Sequence, residues 1–187
     1  MRYVALFRGI NVGKAKRIAM ADLRGLLAKL GYTDVQTLLN SGNAVFTDAA
    51  APTGQHAERI RQAVLRKTGV DAMVIVKSAK DMAGIIGGNE LGPEADDHSR
   101  LLVALCNDAK SLAAVKKLAN QSWGNEKLHV GKHAAYLWCA DGILESKAIG
   151  PLLKGLEGTG TTRNWATLNK IHALMGDRKT AAPTSGR

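Results

Sequence analysis

The stretch Val35-Gln36-Thr37-Leu38-Leu39-Asn40-Ser41-Gly42-Asn43-Ala44-Val45-Phe46-Thr47 decides the fold. Val35 to Leu39 and Asn43 to Thr47 read as two short strands, and Asn40-Ser41-Gly42 supplies the residues a hairpin turn demands. Upstream, Met20, Leu23, Leu27 and Leu30 recur at spacings of three and four, with Leu26 alongside, which predicts an amphipathic helix closed by Gly31. Before it, Tyr3-Val4-Ala5-Leu6-Phe7 reads as a strand. Downstream, Ala57, Ile60 and Val64 mark a second helix closed by Gly69, and Ala72 to Val76 reads as a fourth strand. The order over residues 1–77 is therefore β-α-β-β-α-β, the split arrangement of ferredoxin-like sandwiches.

The rhythm continues beyond this unit. Ser78 is placed to cap a third helix with Asp81 in its first turn, ending near Gly87-Gly88. The polar, acidic, Pro93-containing stretch 89–99 predicts a linker between a first half, residues 1–88, and a second, residues 100–178. In the second half Arg100 to Cys106 reads as a strand, and Leu112, Val115 and Leu118 as a helix. Leu128 to Val130 and Ala134 to Trp138 flank the turn Gly131-Lys132, and a helix near Ser146 is shortened by Gly150-Pro151. Trp165, Leu168, Ile171 and Met175 form a final helical stripe, with Thr162 as its expected cap, so the half reads as a βαββα unit plus a C-terminal helix. Residues 179–187 are expected to be disordered. The strands at 3–7, 72–76 and 101–106 are apolar at successive positions, which predicts burial on both faces and one half packed on the other. The fold class expected is α+β, two packed ferredoxin-like halves with mainly antiparallel sheets.

Composition bounds the function. The 187 residues are 45% hydrophobic and 22% charged, a globular balance. The longest apolar runs are far too short to span a bilayer, and the N-terminus lacks a signal-peptide pattern, so no membrane partner is expected. Cys106 and Cys139 lie in apolar strand-like segments, which suits buried thiols in a cytoplasmic protein. The net charge of +10 is concentrated: residues 1–80 hold 13 Lys and Arg against 5 Asp and Glu. Such a half attracts anions, whether nucleic acid or phosphorylated small molecules.

At Leu6-Phe7-Arg8-Gly9-Ile10-Asn11-Val12-Gly13, at Ser41-Gly42-Asn43-Ala44-Val45-Phe46 and at Thr161-Thr162-Arg163-Asn164-Trp165, the chain resembles the bacterial domain-of-unknown-function 1697 family. The resemblance spans nearly the whole chain and implies a two-part α+β fold of ferredoxin-like topology, with no established activity. The chain departs from the family pattern at Lys14, where a second Gly is common, and at Gly88-Asn89-Glu90-Leu91, where an Asn-Pro pair is typical.

Among the candidate sites, Gly9 to Arg17 follows a strand, precedes a helix and combines glycines with Lys14, Lys16 and Arg17, the ingredients of an anion cradle. It is not a P-loop, because the glycine spacing is one residue short and Ala15 stands where the hydroxyl residue belongs. Ser41 and Asn43 could place a hydroxyl and an amide beside the same sheet, and with Thr162 capping the last helix, Arg163 is left free to meet a phosphate or carboxylate. The candidate anion-binding set is Arg8, Asn11, Lys14, Lys16, Arg17, Ser41, Asn43, Arg163 and Asn164. No catalytic motif, metal set or cofactor fingerprint stands out. His129 and His133 flank a two-residue turn and point to opposite faces. An RNA-recognition platform lacks half its aromatics, since Asn43 and Val45 share one face of the third strand while Phe46 takes the other. The expected function is a binding protein for a polyanion or phosphorylated ligand. The alternatives are an enzyme acting on a small phosphorylated or carboxylate substrate between the halves, or a purely structural interaction protein.

Overall fold

The computed structural model describes residues 1–13, 16–49, 53–107 and 109–176. The first half runs β1 (Arg2–Phe7), α1 (Met20–Lys29), β2 (Thr33–Leu38), β3 (Asn43–Thr47), α2 (Thr53–Thr68), β4 (Val74–Ser78) and α3 (Ala79–Gly87). The second runs β5 (Leu101–Cys106), α4 (Ala109–Lys116), a 3-10 turn (Lys117–Asn120), β6 (Lys127–Val130), β7 (Ala135–Trp138), α5 (Ile149–Gly155), β8 (Gly160–Asn164) and α6 (Trp165–Gly176). Each half forms a four-stranded sheet, ordered β2-β3-β1-β4 and β6-β7-β5-β8, with every strand pairing among the described residues antiparallel. The α+β class and the two ferredoxin-like sheets are as the strand order predicts.

The second half is more complete than its sequence reads. Thr161 to Asn164 belongs to an eighth strand paired with β5, not to a helix start, so both halves are full β-α-β-β-α-β units. The cap of α6 is accordingly Asn164, whose Oδ1 accepts from the Thr167 N–H at 2.9 Å, and not Thr162. Ser78 caps α3 as expected, in a reciprocal capping box with Asp81. Pro151 sits in the first turn of α5, where its missing N–H costs no helical bond. The expectation for residues 179–187 lies outside the described residues.

Alternation along the central strands builds the layers. Tyr3, Ala5 and Phe7 of β1 pack with α1 and α2, whereas Val4 and Leu6 face the other way. In β5, Leu102, Ala104 and Cys106 pack with α4 and α5, and Leu101, Val103 and Leu105 face the shared interior. That interior is filled by α3 and α6, through Met82, Ile85, Trp165, Leu168 and Ile171. The double-sided apolar reading of β1 and β5 is explained by this: helices cover both faces of each sheet. Tyr136 of β7 spans the halves, its hydroxyl donating to the Ile85 carbonyl at 2.6 Å, and burial pushes its pKa up to about 12. Between α3 and β5, Leu91 and Ala95 are buried in the shared core, so the stretch 89–99 is packed against the rest of the structure.

The two halves match strand for strand. The Arg8 N–H donates to the Met73 carbonyl beyond the end of β1, and the Asn107 N–H donates to the Thr159 carbonyl beyond the end of β5. The pairing registers then place Val74, Val76, Lys77 and Ser78 in equivalence with Gly160, Thr162, Arg163 and Asn164.

Candidate functional site

The sequence brings three separate motifs to one place, where β1 and β3 of the first half meet β8 of the second. Arg163 projects from β8 into the Ser41-Gly42-Asn43 turn. Its Nε donates to Asn43 Oδ1 at 2.6 Å, and its Nη2 to the carbonyls of Phe7 at 2.7 Å, Ser41 at 3.3 Å and Gly42 at 3.3 Å. Its Nη1 donates to Thr161 Oγ1 at 3.0 Å and the Thr162 carbonyl at 2.8 Å. Burial lowers its pKa to about 10. Asn43 is fully buried, and its amide donates to the Leu38 carbonyl at 2.8 Å and Ser41 Oγ at 3.1 Å. Sequence alone leaves Arg163 free for a ligand. In the fold all three guanidinium nitrogens are committed to neutral oxygens, because a buried cation must be hydrogen-bonded wherever water is excluded.

The loop after β1 is organised by Asn11, which adopts a left-handed φ of 57°. Its Oδ1 accepts from the Ile18 N–H at 2.8 Å, while Nδ2 donates to the carbonyls of Ile18 at 2.9 Å and Asn40 at 2.8 Å. Asn11 thus ties the loop to the hairpin turn, and its amide is spent on that work. Asn164 likewise commits its Oδ1 to the helix cap. Ser41 is exposed, with its hydroxyl accepting from Asn43. Arg17 lies apart, on a small depression with Ile18, Met20 and Asn40. Lys14 lies outside the described residues.

Arg8 and Lys16 are placed differently. Both line a groove of about 1020 Å³ that runs along β4 and reaches the second half at Asn107 and Gly158. Arg8 Nη1 donates to the carbonyls of Leu156 at 3.2 Å and Gly160 at 3.1 Å, which anchors it at the seam. Lys16 is exposed at the same end, near enough to Asp71 to help lower that carboxyl's pKa. Arg61 holds Asp71 in a two-point pair of 2.7 and 2.8 Å, the main cause of that lowering. At the far end Lys77 Nζ donates to the Cys106 carbonyl at 2.6 Å. Burial pushes the Asp81 carboxyl up, but hydrogen bonds from the Ser78 hydroxyl and backbone N–H outweigh it and leave it below the usual carboxylate range.

Of the predicted set, Ser41, Asn43 and Arg163 come together with the carbonyl end of β1, Arg8 and Lys16 share the groove, and Arg17 stands off. Sequence reasoning missed Arg61, Asp71, Lys77 and Asp81, single charges on ordinary elements. Their only sequence signal is their place on α2, the α2–β4 connection, β4 and α3, which line the groove. Tyr3, Phe7 and Phe46 are buried against α1 and α2, with Tyr3 and Phe46 stacked at 5.6 Å, so these aromatics offer no open platform for bases. Cys106 and Cys139 are both buried, and no disulfide joins them. Among the described residues no group of three His, Cys, Asp or Glu gathers to hold a metal, and no helix is long and apolar enough to cross a membrane.

A family model described as a protein of unknown function (DUF1697) matches residues 1–136, most of the chain. One solved structure, a conserved bacterial protein from Streptococcus pneumoniae, superposes with a TM-score of 0.77 at 24% identity, covering 93% of this chain and 98% of that one. That likeness concerns the fold alone. No curated protein matches. The chain belongs to the DUF1697 family.

Proposed function

We propose that this family member is a binding protein holding a small anionic group in the groove beside β4, at the end formed by Arg8 and Lys16. The observation that carries the reading is the meeting of the basic loop with that groove. A ligand there would meet two cations and the backbone of Gly9, whose left-handed φ of 67° opens the turn. The groove also holds Glu58, Asp71 and Asp81, a mixed charge that favours a small anionic group over a polyanion such as nucleic acid, which follows a continuous basic stripe. Asp71 and Asp81 are both held below the usual carboxylate range, so neither is poised as a general acid near neutral pH. This favours binding over catalysis. A cytoplasmic setting is part of the reading, supported by two buried cysteines that form no disulfide.

A thermal-shift screen tests it, with phosphate, sugar phosphates, nucleotides, carboxylates and a single-stranded oligonucleotide at low and high salt. A ligand that binds only the folded state raises the melting temperature. We expect a small anion to do so, and Lys16→Glu to abolish the rise. No response to any small anion, or a response confined to the oligonucleotide, would overturn the proposal.

A further inference from the structure

The open edge of β4 carries an inference that rests on the groove reading and deepens it. In an antiparallel pair, residues alternate between those whose N–H and C=O point to the partner strand and those whose groups point away. Arg8 and Met73 form a hydrogen-bonded pair, so Ile75 and Lys77 also point to β1, while Val74 and Val76 point outward. The outward Ser78 N–H donates to Asp81 at 2.9 Å, as this alternation requires. On the equivalent β8 edge the outward carbonyls are those of Gly160 and Thr162, and each is taken by an arginine, Arg8 at 3.1 Å and Arg163 at 2.8 Å. On β4 the outward groups of Val74 and Val76 face the groove with no hydrogen-bond partner among the described residues, although these residues are only 3% and 4% exposed. Backbone polar groups so nearly buried are almost always paired in native structures.

We infer that the groove takes an extended peptide ending in a free carboxylate, added antiparallel to β4. Its N–H and C=O groups pair with those of Val74 and Val76, as in other strand-addition complexes. Direction follows from charge. Arg8 and Lys16 lie at the end where β4 begins, and an antiparallel strand brings its C-terminus there. A parallel strand would bring an ammonium to the same two cations. A small anion alone satisfies Arg8 and Lys16 but leaves the Val74 and Val76 groups unpaired. The volume of about 1020 Å³ accommodates several extended residues.

The probe is an array of hexapeptides with free C-termini, immobilised through their N-termini and screened with the labelled full chain. The best binder is then made as the acid, as the C-terminal amide, and with N-methyl groups on the N–H positions facing β4. These changes lie on the peptide, so the fold of the protein is untouched. Amidation and N-methylation are each expected to weaken binding by about 10-fold or more. Amide exchange at Val74 and Val76 is expected to slow on binding. Val74→Pro, which removes one outward N–H at the first position of an edge strand, is expected to do the same as N-methylation. Tolerance of amidation, protection elsewhere, or no binder in the array overturns the inference. So does a homodimer that Val74→Pro dissolves, since a second copy would then be the occupant. If phosphate or acetate binds in a Lys16-dependent way while no peptide does, the anion site stands and only the peptide falls.

Discussion

Lys77 and Arg163 occupy equivalent places in the two halves and make the same crossing. Each stands one residue before the cap of the helix that follows. Each donates to the carbonyl of the last residue of the other half's first strand, Lys77 to Cys106 at 2.6 Å and Arg163 to Phe7 at 2.7 Å. The crossings differ in what surrounds them. Arg163 is enclosed by the Ser41-Gly42-Asn43 turn, whereas Lys77 stands on the wall of the groove.

The two crossings should therefore differ in stability. Arg163→Met orphans the buried Asn43 Oδ1 and the Phe7 carbonyl, and is expected to cost about 3 kcal/mol. Lys77→Met removes the bond to the Cys106 carbonyl beside an open groove, where water can replace it, and should cost about 1 kcal/mol. Urea denaturation of both variants measures the difference, and equal losses would contradict the assignment.

Gly42 is held at a φ of +80°, and a Cβ there would lie 2.5 Å from Ile10 Cδ1 and 2.8 Å from Phe7 Cβ. Gly42→Ala is expected to lose at least about 2 kcal/mol, from the left-handed backbone and the overlap together. Gly9→Ala serves as its control, at a φ of +67° with nothing within 4 Å of the added carbon. Its cost should stay near 1 kcal/mol. Thermal denaturation of the pair separates strain from collision.

Asp81 gives the acid limb a definite sign. Its pKa is lower folded than unfolded, so its contribution is complete above the unfolded value of about 4. It is lost as pH falls through the lower folded value. Asp81→Asn should be less stable than the native chain at pH 7, by about 1 kcal/mol, and the gap should shrink below pH 4. A gap unchanged between pH 7 and pH 3 would show that the capping box contributes nothing through charge.

The first half was legible because β1, β3 and β4 carry apolar runs and the hairpin carries turn residues, although β2 starts two residues before the expected Val35 and β4 lies two residues beyond the expected 72–76. β8 was not, since Gly160-Thr161-Thr162-Arg163-Asn164 is polar and its strand character comes from pairing with the apolar β5. The same limit governs the site. Sequence could gather Ser41, Asn43 and Arg163 as polar residues in motif positions. It could not show that the acceptors for Arg163 are mostly main-chain carbonyls, which every residue carries. The groove depends on an edge left uncovered in one half and covered in the other, a property of arrangement rather than of any residue type.

The proposed anionic group binds where Arg8, Gly9 and Lys16 meet the start of β4. Titrating the 15N-labelled chain with inorganic phosphate while following backbone amides tests this most directly. Saturable shifts concentrated at Gly9, Lys16 and Val74, and absent in Lys16→Glu, are expected. Shifts spread over exposed cations such as Arg17, Arg24 and Arg59, or none at all, would contradict it.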